Sequence, residues 1–203
     1  SNVDRMPDFF MSIVSASDHW MFISSNGSLS AGRKNSENAL FPYYSEDKIH
    51  DYRGKTGSCT LILVKDGEHL KLWEPFRASF AGAYSVNRNI YKNLLSNKLI
   101  FEEINKDLEL TFRYAWFNSD RFGFVKRSFL LNHGAGTRQL EVLDGLQNIL
   151  PCNVNSGLQL SSSNLLDAYK RQELLAGSSL GIYRLSSVPS DAAEPSEALR
   201  VNT

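Results

Sequence analysis

Leu108-Glu109-Leu110-Thr111-Phe112-Arg113-Tyr114-Ala115-Trp116-Phe117 is the stretch on which the fold class turns. Leu108, Leu110, Phe112, Tyr114 and Trp116 fall at alternate positions, with Glu109, Thr111 and Arg113 between them. Side chains of a strand point to its two faces in alternation, so the segment reads as a half-buried antiparallel strand with an apolar, largely aromatic inner face. Just upstream, residues 98–104 form a second strand, joined to the first by the turn Asn105-Lys106-Asp107. Downstream, Asn118-Ser119-Asp120-Arg121 leads to a strand over 124–132, and His133-Gly134-Ala135-Gly136 leads to another over 138–143. The plain expectation is four strands in meander order.

The rest of the chain extends the pattern. Residues 59–65 and 68–73 flank Asp66-Gly67 as a hairpin with a two-residue turn. The unbroken run Leu61-Ile62-Leu63-Val64 predicts burial on both faces. Residues 13–25 carry Ile13, Val14, Trp20, Phe22 and Ile23 into Asn26-Gly27, a hairpin signal that calls for positive φ at both turn positions. With Ser28 the same residues match a glycosylation acceptor, but the turn accounts for them without a sugar. Residues 33–56 are polar and read as a long ordered loop with the insert Phe41-Pro42-Tyr43-Tyr44, where Pro42 excludes an ordinary central strand. Helical period is found once: Ser163-Asn164 cap a helix reaching Leu175, with Leu165, Leu166, Tyr169 and Leu174 as its apolar stripe and Gly177 as its stop. Residues 180–187 return to strand, and 189–197 are polar and linker-like. Many short strands with turn signals and little helix predict an all-β, antiparallel two-sheet sandwich with one short helix near the C-terminus, a single domain over 1–203.

Composition narrows the function classes. A chain of 203 residues with 42% hydrophobic content can bury a sizeable core. Its 22 basic and 22 acidic residues cancel, and no Lys/Arg run stands out, so the electrostatics that drive nucleic-acid binding are lacking. Cys59 and Cys152 are too few for a disulfide framework and stand in no zinc-type cluster, which leaves open a single long-range bridge. No apolar run approaches the roughly 18 to 20 residues of a membrane span, no signal peptide is read, and the sequence indicates no compartment. Ser1-Asn2, in place of an initiating Met, reads as a processed end or an added remnant.

Catalytic motifs are scarce. Gly134-Ala135-Gly136 has Gln139 where a dinucleotide fingerprint needs its third glycine, and the residues beyond Gln139 are strand-like, so the triplet reads as a turn. Walker, His-Glu-x-x-His and Gly-x-Ser-x-Gly patterns are missing. His19, His50, His69 and His133 are scattered, and Asp18-His19, as neighbours in a strand, would face apart. Glu102-Glu103 diverge for the same reason, and Glu194 and Glu197 fall in the polar terminal segment; paired carboxylates for glycoside chemistry are not supplied. The sequence therefore assigns no catalytic residue, no cofactor and no metal ligand. Aromatic side chains offer a face for the C–H side of a sugar ring, while Asn, Asp and Arg take its hydroxyls. Trp20, Tyr43, Tyr44, Trp73 and Trp116 with Arg88-Asn89 supply that mixture, although alternating aromatics such as Phe112, Tyr114 and Trp116 more often fill a sandwich core. Tyr43, Tyr44, Trp73, Arg88 and Asn89 are the ligand-binding candidates.

The string Trp20-Met21-Phe22-Ile23-Ser24-Ser25-Asn26-Gly27-Ser28-Leu29-Ser30-Ala31-Gly32-Arg33, followed by Asn38-Ala39-Leu40-Phe41-Pro42-Tyr43-Tyr44, resembles the opening of large cellobiose phosphorylase-like proteins. Asn132, Asp144-Gly145-Leu146-Gln147-Asn148-Ile149-Leu150-Pro151, Asp167-Ala168-Tyr169-Lys170 and Glu194-Pro195-Ser196-Glu197 resemble further parts of that region, so the resemblance spans nearly the whole chain. It implies a galactose mutarotase-like supersandwich standing ahead of a helical (α/α)6 toroid, with the chain ending after Arg200 before that toroid begins. In such proteins the toroid carries catalysis, and the sandwich packs on it and shapes the substrate site or subunit contacts. Galactose mutarotase itself uses a His and a Glu on the concave face, and no His-centred motif of that kind is matched here. The expectation is a non-catalytic, carbohydrate-associated domain of a glycoside phosphorylase- or hydrolase-like enzyme, its partners an oligosaccharide and the catalytic domain of the same parent chain. The alternatives are an aldose-1-epimerase-like enzyme and a purely structural interaction module.

Overall fold

In the computed structural model, which describes residues 1–43, 46–161, 163–187 and 201–202, the chain is an all-β antiparallel sandwich. Tyr44, Glu194, Glu197 and the linker-like segment 189–197 lie outside the described residues. The elements in order are β1 (Phe10–Ile13), β2 (His19–Ser24), β3 (Leu29–Arg33), β4 (Ala39–Phe41), α1 (Glu46–Ile49), β5 (Gly57–Asp66), β6 (His69–Trp73), β7 (Val86–Lys92) and β8 (Lys98–Asn105). Then come β9 (Leu110–Ser119), β10 (Gly123–Asn132), β11 (Leu140–Gln147), α2 (Ser156–Ser161), α3 (Ser163–Tyr169), β12 (Lys170–Leu174), β13 (Gly181–Leu185) and β14 (Val201–Asn202). They pair as β1-β2-β3-β4, β10-β9-β8-β7, β11-β5-β6 and β12-β13-β14.

The alternation read in β9 places Leu110, Phe112, Tyr114 and Trp116 in the core, all essentially buried. Phe101 stacks on Tyr114 at 4.8 Å between centroids, Phe76 meets both rings edge-on, and Phe41 meets Trp116 edge-on at 6.4 Å. Offset-stacked and edge-to-face pairs of this kind add to the burial of their surfaces. Burial also pushes the Tyr114 hydroxyl far above its ordinary range, so the phenol stays neutral. The same core takes Met11, Ile13, Met21, Ile23 and Leu29 from β1–β3, and Ile62, Val64 and Trp73 from β5 and β6. Sheet β7–β10 is therefore one layer, and the sheets β1–β4 and β11-β5-β6 share the layer opposite. A second, smaller core of Ala39, Leu150, Val154, Leu166 and Leu185 sits under α2, α3 and β13, with Trp20, Leu158 and Tyr169 against it.

Several local expectations are revised. The meander is β7–β10, not the four strands ending in β11: residues 133–139 carry the chain to the other layer, where β11 runs antiparallel to β5. The first strand region splits into β1 and β2. At the β2–β3 turn Gly27 alone takes a positive φ, 91°, because Asn26 uses its side chain instead. The Asn26 amide donates to Asp8 Oδ2 at 2.9 Å and to the His50 carbonyl at 3.0 Å, while its oxygen accepts from the Ser28 backbone and hydroxyl. The 33–56 stretch contains β4 and α1. The helix ends at Tyr169, since residues 170–174 find a better partner in β13. In β5, Ile62 and Val64 are buried but Leu61 and Leu63, on the outer face, are only half-buried.

Candidate functional site

Glu102 and Glu103 are adjacent on β8 and both are 2% exposed, so the pleat sends two buried carboxylates to opposite faces of one sheet. A buried carboxylate persists only if its oxygens are paired. On the inner face Glu103 accepts from Trp73 Nε1 at 2.8 Å, from Arg88 Nε at 2.7 Å and from the Phe76 backbone N–H at 2.7 Å. That last bond holds Phe76 in the left-handed region, at φ 67°, where a bulky side chain is rarely found. Two of the sequence candidates, Trp73 and Arg88, are thus committed to one interior carboxylate, and Trp73 is 1% exposed.

The outer face carries Asn89, Glu102 and Arg113 in one cross-strand row of β7, β8 and β9, with Phe129 of β10 completing it. Glu102 accepts from Asn89 Nδ2 at 2.8 Å, from the Tyr91 hydroxyl at 2.9 Å and from Arg113 Nε. Burial opposes its charge, but these three donors and the Arg113 guanidinium outweigh it and hold the carboxyl below its ordinary value. The reciprocal effect raises Tyr91, whose hydroxyl is tied to that carboxylate. Glu102 is a fixed anion that organises the face; a general acid would need the opposite shift.

The next row is Tyr91, Ile100, Ala115 and Arg127, and the one beyond joins Lys98, Phe117 and Val125. Ala115 is the small residue of this set, and a groove of about 280 Å³ lies there. Asn93, Asn97, Lys98, Phe117, Arg127 and Phe129 line it, with Ala115 and Asn118. The Arg127 guanidinium lies over the Phe129 ring at 4.8 Å. Asn93 is bound to Asn97 Oδ1 and to the Lys98 backbone, which fixes the β7–β8 turn forming one wall. Neither Lys98 nor Arg127 has an ion-pair partner among the described residues.

The remaining candidates are dispersed. Tyr43 is 45% exposed, meets Trp20 edge-on at 5.9 Å and donates its backbone N–H to Gln159 Oε1, so it belongs to the surface over the second core. Of the four described candidates, Asn89 alone reaches the outer face of β7–β10, and it serves Glu102. The groove residues were missed, although the residues alternating with the core face of β9 and β10 (Arg113, Phe117, Arg127 and Phe129) are readable once those strands are drawn. The turn residues Asn93 and Asn97 had no such signal. His19 Nδ1 stands 3.8 Å from Asp18 Oδ1 and 2.6 Å from the Ser17 hydroxyl, and Asp18 is held by Arg33, so the sequential pair does meet because Asp18 precedes the strand. His50 and His133 bond to Ser24 and Thr111. Both cysteines are free thiols. Among the described residues no three His, Cys, Asp or Glu converge as a metal site, and no helix is long and apolar enough to cross a membrane.

No protein-family model matches the chain, and a search of curated proteins finds no match.

Proposed function

We propose that this chain is a non-catalytic, carbohydrate-associated sandwich domain of a larger enzyme resembling glycoside phosphorylases or hydrolases, of the galactose mutarotase-like type, and that it holds part of a glycan in the outer groove of sheet β7–β10. The observation that carries the reading is the groove's lining. Phe117 and Phe129 offer aromatic surface, Asn97 an amide, and Lys98 and Arg127 cationic donors without an ion-pair partner among the described residues, around a volume of about 280 Å³. That mixture suits a mono- or disaccharide unit, at the small end of ligand sites. The lining residues include no carboxylate, and Glu102, in the cross-strand row of Phe129, is held below its ordinary value by its three donors.

A second reading, an interaction module, draws on a different surface. Leu61 and Leu63 of β5, Leu70 and Leu72 of β6 and Leu143 of β11 share the outer face of their sheet by register, and Leu70 and Leu143 are 64% and 67% exposed. Contiguous apolar surface of this kind marks contact faces, and the two readings coexist if a further domain of the parent chain packs there.

The test is an NMR titration with mono- and oligosaccharides, read at backbone amides and run beside an assay of anomer exchange. The reading expects saturable shifts in residues 93–98, 115–118 and 127–129 without accelerated exchange. Accelerated exchange would favour the epimerase-like alternative, and shifts confined to the Tyr43 surface would move the site.

A further inference from the structure

One end of the sandwich carries three loops: 14–18 after β1, 93–97 between β7 and β8, and 120–122 between β9 and β10. Register puts the last two at the same end, because Lys98 pairs with Phe117. Two contacts tie the first to them, from the Val14 N–H to the Ser96 carbonyl at 2.9 Å and from the Asn118 amide to the Val14 carbonyl at 3.4 Å. The tips are apolar and bare. Leu94 is 99% exposed, Leu95 and Phe122 are each 72% exposed, and Val14 is 50% exposed. Both hairpin tips are braced by their own polar side chains: Asn93 with Asn97 in one, and the Ser119 hydroxyl accepting from the Arg121 and Phe122 backbone in the other. The apolar residues are therefore presented on ordered turns.

Cations surround them. Lys92 and Lys98 flank the first tip, Arg121 sits at the second with its guanidinium 5.1 Å from the Phe122 ring centre, and Lys34 comes directly after β3, its N–H bound to the Asp18 carbonyl. None of the four has an ion-pair partner among the described residues; Asp120 is the one acid at the tips, and Asp18 is taken by Arg33. Lysine is depleted at the centre of protein–protein interfaces, whereas protruding apolar tips with a basic collar match a bilayer carrying anionic headgroups.

We propose that this end of the sandwich docks on an anionic bilayer surface, with Leu94, Leu95, Phe122 and Val14 entering the headgroup boundary and Lys34, Lys92, Lys98 and Arg121 meeting the lipid charges. The proposal does not rest on the carbohydrate reading and is tested apart from it. The experiment is co-sedimentation of the chain with phosphatidylcholine vesicles with and without phosphatidylserine, at low and high salt, together with L94S/L95S and K34Q/K92Q variants whose folding is checked by circular dichroism. All four substituted positions are exposed, so folding is expected to survive. The expected result is binding only to the phosphatidylserine vesicles, weakened by salt, lost in L94S/L95S and reduced about tenfold or more in K34Q/K92Q. Absence of sedimentation, equal binding to neutral vesicles, or binding indifferent to both variants would overturn it. So would a dimer in sedimentation velocity that L94S/L95S dissolves, which would give the tips to a second copy of the chain.

Discussion

Arg88 and Glu103 show how a polar pair in the interior shapes its surroundings. The Glu103 carboxylate anchors the Trp73 ring and the Phe76 turn, and Arg88 supplies its counter-charge with a side chain only 14% exposed. Removing one partner of such a pair strands the other charge, so Arg88→Ala is expected to lower stability by about 3 kcal/mol in urea unfolding. A loss of less than about 1 kcal/mol would mean that water reaches Glu103. On the opposite face Glu102 is held below its ordinary value of 4.5, and Asp144 is likewise lowered: burial opposes its charge, but bonds from Lys126 and Thr60 prevail. A carboxylate depressed in the folded state contributes stability that is fully present above its unfolded value and lost as pH falls through its folded one. Urea midpoints measured against pH should therefore hold down to the ordinary carboxylate range and fall below it. In Glu102→Gln that acid limb should flatten while stability at neutral pH drops, and an unchanged acid limb would remove Glu102 from the account.

β11 illustrates the element scale. It is an edge strand with one hydrogen-bonded neighbour, β5, and Val142 and Leu143 are both more than half exposed. Long apolar edges invite association. Leu143→Lys is expected to change the melting temperature little, since the side chain is 67% exposed, and to lower light scattering on heating. A large drop in melting temperature would show that Leu143 is covered. β9 was legible because its inner face alternates without exception from Leu110 to Trp116, and β5, β6, β8 and β10 were legible from turn chemistry. β7 is not legible, because Asn87, Arg88 and Asn89 break the apolar alternation; Arg88 and Asn89 are polar since their partners are the buried Glu103 and Glu102. The crossing of β11 to the other layer was likewise hidden, as strand propensity does not say which strand a segment will pair with.

At the scale of the whole molecule, the two faces of sheet β7–β10 divide the work. The inner face meets β1–β6 in the main core and fixes the sheet, and the outer face has Glu102 with its three donors to hold the rows that form the groove. Of the sequence candidates, Trp73 and Arg88 went to the inner face and Asn89 to the outer. None of the three lines the groove, whose wall comes from β8, β9, β10 and the β7–β8 turn. Such convergence depends on register, which a single sequence does not carry. The most direct test of the groove is calorimetric titration of the chain and an R127A/F129A variant with the oligosaccharides that perturb the NMR spectrum. The account predicts saturable binding that weakens at least about tenfold in the variant, since each substitution removes a donor or a ring face from the ligand. Equal affinity in the two proteins, or no heat with any sugar, would contradict it.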